Sequence, residues 1–367
     1  MRLDPLQRRR WVQFRSNRRA LWSLRLFLAL VLVTLCAEFV ANDRPILVAY
    51  RGELHVPVLR FYPETAFGGE FETEANYRDP VVQCFIRAAG LEACYDDPEA
   101  VSADAADGKV GDQPVETGWL VFPPIPYGFS TVNDVARAPS PPDADHWLGT
   151  DDQTRDVVAR VIYGFRISIL FALVVAGISS VLGIVAGAAQ GYFGGWVDLF
   201  FQRVVEIWNA TPALYILIIM GAIFVMNFWL LTLLLAVFGW TSLIGVVRAE
   251  FLRARNFEYV RAARALGVGD WTIMFRHLLP NAMVATLTML PFLVTAAIGT
   301  LTSLDFLGYG LPPSYPSLGE LALQGKNNLQ APWLGVTAFF TLGTMLSLLV
   351  FIFEGVRDAF DPRKTFR

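Results

Sequence analysis

EYVRAARALGVGDWTIMFRHLLPN, residues 258–281, is the stretch that decides how this chain is organised. It is polar and arginine-bearing, and long apolar runs flank it on both sides. Tyr259, Ala262, Ala263 and Leu266 recur at helical spacing and share one face. Gly267 and Gly269 end that helix, Asp270 is placed to cap the next, and Pro280 follows its last turn. The pattern is a short amphipathic elbow between membrane-loving segments, a surface against which another protein can push.

Working outward, the apolar runs set the architecture. Of the 367 residues, 54% are hydrophobic, only moderately above the about 45–50% of soluble domains. Their distribution decides the class. Uncharged stretches of about twenty residues match a bilayer's thickness. Helices are expected near 22–41, 167–189, 199–224, 229–247, 283–304 and 334–353, and all but the first and third lack Asp, Glu, Lys and Arg. Pro212 is expected to kink the third, where Arg203 and Glu206 are spaced to pair. Gly183, Gly187 and Gly191 recur every fourth residue in the second, a stripe that lets helices approach closely.

Charge is strongly partitioned under the net value of −3. Residues 42–160 hold 21 acidic and 9 basic side chains, whereas the first twenty residues carry seven arginines against Asp4 alone. Basic loops stay cytoplasmic, and long domains cross largely regardless of charge. Six crossings put both termini and the 258–281 elbow inside, and the acidic insert outside. The 22–41 run reads as a retained helix rather than a cleaved signal. Its basic flank reads as a topology anchor and a contact for anionic membrane lipid, not for nucleic acid.

The insert, residues 42–160, is long enough for a small domain. ILVAYRGELHVPVLRFYPET, residues 46–65, suggests strands, and VVQCFIRAAGLEACYDD, residues 81–97, a short helix. Residues 99–114 read as a loop rich in Asp, Ala and Gly. Cys84 and Cys94 are a candidate disulfide if this segment faces an oxidising compartment; the other reading is two buried thiols in a helical hairpin. Cys36 sits in the first helix.

Chemistry of other kinds is missing. Gly325-Lys326 lacks the surroundings of a phosphate-binding loop, so ATP hydrolysis by this chain alone is not expected. His55, His146 and His277 show no metal-ligand spacing, and Ser179 and Ser180 have no neighbouring His or acid. No cofactor or catalytic residue is assigned. Ion-coupled carriers keep ionisable groups at membrane depth. Here such groups crowd toward helix ends, at Arg25, Glu38, Asp305 and Glu354. Energy supplied from outside the bilayer fits better.

Several segments carry a family resemblance: HWLGTDDQTRDVVARVIYGFRISI (146–169), GGWVDLFFQRVVEIWNATPAL (194–214), SLDFLGYGLPPSYPSLGELALQGKNNL (303–329) and EGVRDAFDPR (354–363). Together they resemble the peptide and nickel branch of ATP-binding-cassette (ABC) importer permeases. The long insert makes the chain most similar to the Yej-type oligopeptide permeases of that branch. The resemblance implies an all-α polytopic membrane protein with six transmembrane helices of the type I importer permease fold. A small mixed α/β periplasmic insert would lie between helices 1 and 2. It divides the chain into a basic N-terminus (1–21), helix 1 (22–41), insert (42–160), permease core (161–354) and cytoplasmic tail (355–367).

The same resemblance identifies residues 258–281 with the EAA coupling motif that meets the ATPase. Ala262 and Ala263 match its alanines, Gly267 its glycine, and Leu279-Pro280 its terminal pair. Arg261 stands where Glu is usual, and Glu258, one turn earlier, is assigned the acidic role. Implied partners are a second homologous permease, ABC ATPase subunits and a periplasmic peptide-binding protein. The implied cargo is oligopeptides, with peptide-nucleotide antibiotics of the microcin C kind. The competing reading is a membrane-anchored sensor or adhesion protein with a periplasmic ligand domain.

Overall fold

The computed structural model describes residues 5–110, 113–114 and 117–360. The terminal residues Arg2 and Asp4 and the tail residues Arg363, Lys364 and Arg367 lie outside them. The chain forms two compact units: Met1–Val31 with Gly164–Arg367, and Leu32–Tyr163. It opens with α1 (Pro5–Ser16), α2 (Arg18–Leu35) and the single turn α3 (Ala37–Val40). The run expected at 22–41 is therefore helical from Arg18 and interrupted at Cys36.

In the unit Leu32–Tyr163, β1 (Leu47–Tyr50) is the central strand of a three-stranded antiparallel sheet. It lies between β2 (Glu53–His55) and β5 (Trp119–Val121). Val48 and Tyr50 alternate onto the buried face and pack with Phe67, Tyr77, Val82 and Ile86. The helix expected over 81–97 is shorter. In α4 (Pro80–Arg87) the Asp79 carboxylate accepts from the Val81 N–H at 2.9 Å, and Pro80 fills a first-turn position. Ala89 and Gly90 then take left-handed φ values of 53° and 79°, which no helix continues through. A 3-10 turn, Glu92–Tyr95, follows.

A disulfide joins Cys84 to Cys94 across that break, with Cα atoms 5.7 Å apart. Both cysteines are buried with Phe85, Val101 and Ala105. The expected loop at 99–114 is instead α5 (Pro98–Ala106) and the hairpin β3 (Lys109–Val110) and β4 (Gln113–Pro114). The alanines of this stretch favour helix, and the Asp97 carboxylate caps it by accepting from Ala100 N–H at 3.1 Å.

The remaining helices are α6 (Val157–Phe193), α7 (Gly195–Ala210), α8 (Ala213–Ile223), α9 (Phe228–Gly239) and α10 (Thr241–Ala254). After them come α11 (Glu258–Ala265), α12 (Asp270–Thr272), α13 (Leu279–Phe306), α14 (Leu318–Asn327) and α15 (Pro332–Phe360). Among the described residues, Val157–Phe193, Phe228–Ala254, Thr286–Phe306 and Pro332–Phe360 are long and apolar enough to cross a membrane. The pair α7 and α8, bent by 67° at Thr211-Pro212, makes a fifth if it counts as one span. α2 carries Arg18, Arg19 and Arg25 and falls outside that set. The spans run several residues past their apolar cores because the polar ends keep the helical ladder.

The glycine stripe of α6 is the seam against α10. A Cβ added at Gly183 would stand 2.5 Å from the Trp240 carbonyl oxygen. At Gly187 it would stand 2.9 Å from the Ile244 carbonyl, and at Gly191 2.5 Å from Phe251 Cβ. Packing inside one subunit accounts for the whole stripe. At the far end of α13, buried Asp305 accepts from the Leu311 N–H at 2.7 Å and from the Ser317 hydroxyl. Ser317 in turn caps α14. Asp305 thus shapes the 307–317 loop.

Candidate functional site

The elbow begins where α10 stops. α11 turns its Val260 into a core shared with Leu243, Val247, Phe251, Ile273, Met274 and Leu278. Ala263 is half-buried beside it, whereas Tyr259, Ala262 and Leu266 are exposed. The face read from the sequence therefore splits. Only Ala263 joins the core, and the other three stay exposed, Tyr259 with its hydroxyl accepting from Asn281 at 3.5 Å.

α11 ends in a paired-bond turn. The Gly267 N–H donates to the Arg264 carbonyl at 2.9 Å and the Val268 N–H to the Ala263 carbonyl at 3.1 Å. This closure needs left-handed backbone at Gly267, whose φ is +77°. Gly269 has φ −64° and an ordinary extended geometry.

Two expectations about the second arm are corrected. Asp270 does not cap it: no side chain caps α12, and the Asp270 carboxylate instead accepts from the Tyr192 hydroxyl at the end of α6. That partner lies 78 residues away and is invisible to a local reading. Nor does the arm end at Pro280. Residues Ile273–Leu278 form a π-helical stretch that runs into α13, with Pro280 in that helix's first turn. A proline lacks an N–H and crowds the preceding turn; a widened turn accommodates both.

Further contacts clamp the elbow to the helical unit. Arg264 lies over the Tyr192 ring, its Cζ 4.8 Å from the centroid. Arg255 donates to the Gly191 and Tyr192 carbonyls at 3.4 and 3.3 Å, capping the C-terminal end of α6. Next to it, Arg248 makes a two-pronged pair with Asp198 at 2.6 and 2.7 Å. The elbow is thus rigid on its inner side.

Its outer side is free. Glu258, Arg261, Ala262, Gly267 and Pro280 are exposed, while Leu279 is half-buried. Phe257, Tyr259, Leu266, Trp271 and Phe275 add apolar surface, with Leu266 83% exposed. Trp271 and Phe275 stack at 5.7 Å. The sequence reading missed Tyr192, Arg255, Trp271 and Phe275. For the last two the signal was present: aromatic side chains four apart on a short helical arm between charges.

A second feature lies within the helices. A cavity of about 740 Å³ is bounded by α6, α8, α9, α10 and α13, with Ser179, Ser242, Thr300 and Ser303 on its wall. Gly239, Gly299 and several alanines complete the lining. Thr300 and Ser303 donate to carbonyls one turn back in their own helix, at 2.9 and 2.8 Å. Each hydroxyl oxygen keeps acceptor capacity toward the cavity. Among the described residues no cluster of His, Cys, Asp or Glu could hold a metal ion.

The insert has its own electrostatics. Burial first, then the nearby Asp79 and Glu70 carboxylates, push Glu64 above the usual carboxylate range. Burial and adjacent Asp151 do the same to Asp152. Before α6, Asp151 pairs with Arg155 at 2.6 Å and Asp156 with His146 at 2.9 Å, all four buried.

A bundle of membrane-length helices with a clamped polar elbow is the build of a permease that borrows its energy from another subunit. Comparison with known proteins agrees. Residues 179–366 match the family described as "Binding-protein-dependent transport system inner membrane component". The chain belongs to that family of ABC importer permeases.

The "Peptidoglycan transport system permease protein YejE" of Agrobacterium fabrum is 53% identical, covering 99% of this chain and 95% of its own length. The "Inner membrane ABC transporter permease protein YejE" of Escherichia coli is 50% identical, covering 99% of both. The "Oligopeptide transport system permease protein OppC" of Bacillus subtilis is 34% identical over 65% of this chain and 78% of its own. The protein is a multi-pass inner-membrane permease subunit, a transport component rather than an enzyme, and its family works with ATPase and substrate-binding subunits. That membership displaces the sensor or adhesion reading.

Proposed function

We infer that this permease carries oligopeptides inward as one half of a transport path completed by a second, homologous permease. The names of two relatives, which speak of peptidoglycan and oligopeptide transport, support that substrate class. Peptide-nucleotide antibiotics of the microcin C kind belong to the same proposal. The hydroxyl-bearing cavity beside α13 is the surface offered to the cargo: small side chains leave room, and hydroxyls take backbone N–H groups regardless of sequence.

The observation that carries the mechanism is the elbow, fixed on its inner side and exposed on its outer side. Glu258, Arg261, Ala262, Ala263, Gly267, Leu279 and Pro280 form the seat for an ATP-binding subunit. Closure of the ATPase pair pushes on this seat, and the bonds from Asp270 and Arg264 to Tyr192 pass the push to α6. On this reading the elbow and both termini are cytoplasmic, α2 supplies the first of six crossings, and the insert faces the periplasm. Arg10, Leu287 and Phe360 line one cavity, which supports a common side for the N-terminal helix, the start of α13 and the end of α15.

The acidic insert is the surface for the peptide-binding protein. Neutralising exposed Glu70, Glu72 and Glu92 should weaken that docking with the permease still assembled, and unchanged docking removes this role. For the elbow, Gly267→Pro breaks the turn while leaving the spans intact. The expected result is normal insertion with ATP turnover no longer matched to peptide uptake. Normal coupled uptake, or labelling of Glu258→Cys from the periplasmic side only, would sink the assignment.

A further inference from the structure

α1 and α2 do more than precede the first crossing: they lie along the end of α15. Phe14 and Ala20 are buried there against Gly355, where an added Cβ would stand 2.3 Å from Ala20 Cβ and 2.9 Å from the Phe14 ring. Beside this seam is a cavity of about 480 Å³, inside the roughly 300–1,000 Å³ range of small-molecule sites. Trp11, Phe14, Leu24, Leu287, Ile352 and Phe360 make its wall almost wholly apolar. Arg10 is the one charged residue on it, its guanidinium 4.4 Å from the centre of the Phe360 ring.

The depth of the cavity is fixed by its lining. Leu287 lies in the first third of α13, and Ile352 and Phe360 lie in the last third of α15. Glu354, Arg357 and Asp358 on α15, with Arg276 and His277 just before α13, put the cavity near the polar ends of both helices. That is the level at which tryptophan and arginine side chains meet lipid headgroups. Trp11 is 47% exposed and stacks on Phe14 at 5.7 Å. Arg8, Arg9 and Arg15, all exposed, lie on the same short helix as Arg10. An apolar slot with a cationic entrance at headgroup depth has one matching chemistry.

We propose that this cavity is a binding site for an anionic phospholipid, one acyl chain lying between α1, α13 and α15 with the phosphate on Arg10. Burying the chain extends the hydrophobic contact between α1 and α15, and the phosphate offsets the arginine cluster. The site ties α1 to the end of the bundle that also bears the elbow. A diffuse basic surface would attract anionic lipid as well, but it would not need the slot.

The test uses the whole transporter, purified and placed in bilayers of phosphatidylcholine with a minority of phosphatidylglycerol, then stripped with mild detergent. Lipid retained per complex is read by native mass spectrometry. Phosphatidylglycerol should stay bound in preference to phosphatidylcholine. Arg10→Gln should cut its retention about fivefold, what one basic side chain near an anionic surface contributes. Leu24→Trp, which fills the slot and leaves every arginine in place, should abolish retention, whereas Val12→Trp, on an exposed position outside the lining, should not. If Leu24→Trp does not assemble, Val356→Phe fills the same slot. Equal retention of both lipids overturns the site. So does loss in Arg10→Gln with full retention in the slot-filling variant, which would leave only surface attraction. Protection of the slot by a helix of the second permease would overturn it too.

Discussion

The Tyr192 hydroxyl, at the last turn of α6, hydrogen-bonds the Asp270 carboxylate at the start of the elbow's second arm. Arg264 of the first arm reaches the same hydroxyl at 3.4 Å and covers the same ring. One side chain thus holds both arms of the elbow to one long membrane helix. A lever must be stiff at its attachment, and this triad is the attachment.

Tyr192→Phe removes the hydroxyl and keeps the ring. Asp270 is exposed and regains water, so the stability cost should be small, about 1 kcal/mol. Coupling should suffer more than folding: peptides transported per ATP should fall in proteoliposomes while ATP hydrolysis persists. Hydrolysis and uptake falling in equal proportion would mean that Tyr192 serves assembly alone.

The elbow contains two glycines with different duties. Gly267→Ala forces a side chain into left-handed backbone and should cost roughly 1–2 kcal/mol. Gly269→Ala, with φ −64° and no atom within 4 Å of the added Cβ, should be neutral. The comparison is a pair of thermal melts of the assembled transporter. Equal melting points would show that the turn at Gly267 carries no load.

Much of this architecture was legible because it is written locally. Apolar run length located the membrane-length helices after residue 156, Pro212 the 67° break, and Gly267 the end of α11. What escaped depends on partners distant in sequence. Asp270 looked like a helix cap because caps are local, but its partner is Tyr192. Pro280 looked like a stop because proline breaks an isolated helix, yet a π-helical stretch, with its neighbours buried beside Val260, carries the rod through. Residues 99–114 looked like loop from composition, and the Asp97 cap with burial of Val101 and Ala105 made part of them helix. Which face of α11 turns inward was undecidable, since Val260 and Tyr259 are both apolar neighbours.

The α6 stripe gives a test of helix contact inside the membrane. Gly191→Ala places a methyl 2.5 Å from Phe251 Cβ and 2.6 Å from the Arg248 carbonyl oxygen, on backbone that cannot swing aside. Overpacking of this kind costs about 1–3 kcal/mol. Gly177→Ala on the same helix meets nothing within 4 Å and should leave stability unchanged. The readout is the midpoint of unfolding in detergent. A similar midpoint for both variants would refute the α6–α10 seam.

The Cys84–Cys94 bond should matter to the unit Leu32–Tyr163 and not to the elbow. It closes a short loop, for which chain-entropy arguments give about 2–3 kcal/mol. The two sulfurs are fully buried between α4 and α5, so a double Cys→Ser variant loses the tie and also buries two hydroxyls beside Phe85 and Val101. Cys84→Ala with Cys94→Ala avoids the second penalty and isolates the first. The expected outcome is faster proteolysis between residues 88 and 98, where the backbone turns through Ala89 and Gly90 and the disulfide is the covalent tie. Basal ATP turnover in the assembled transporter should stay unchanged, because the elbow draws its contacts from α6, α10 and α13. Loss of basal turnover in the alanine pair would show that the insert acts on the ATPase seat after all.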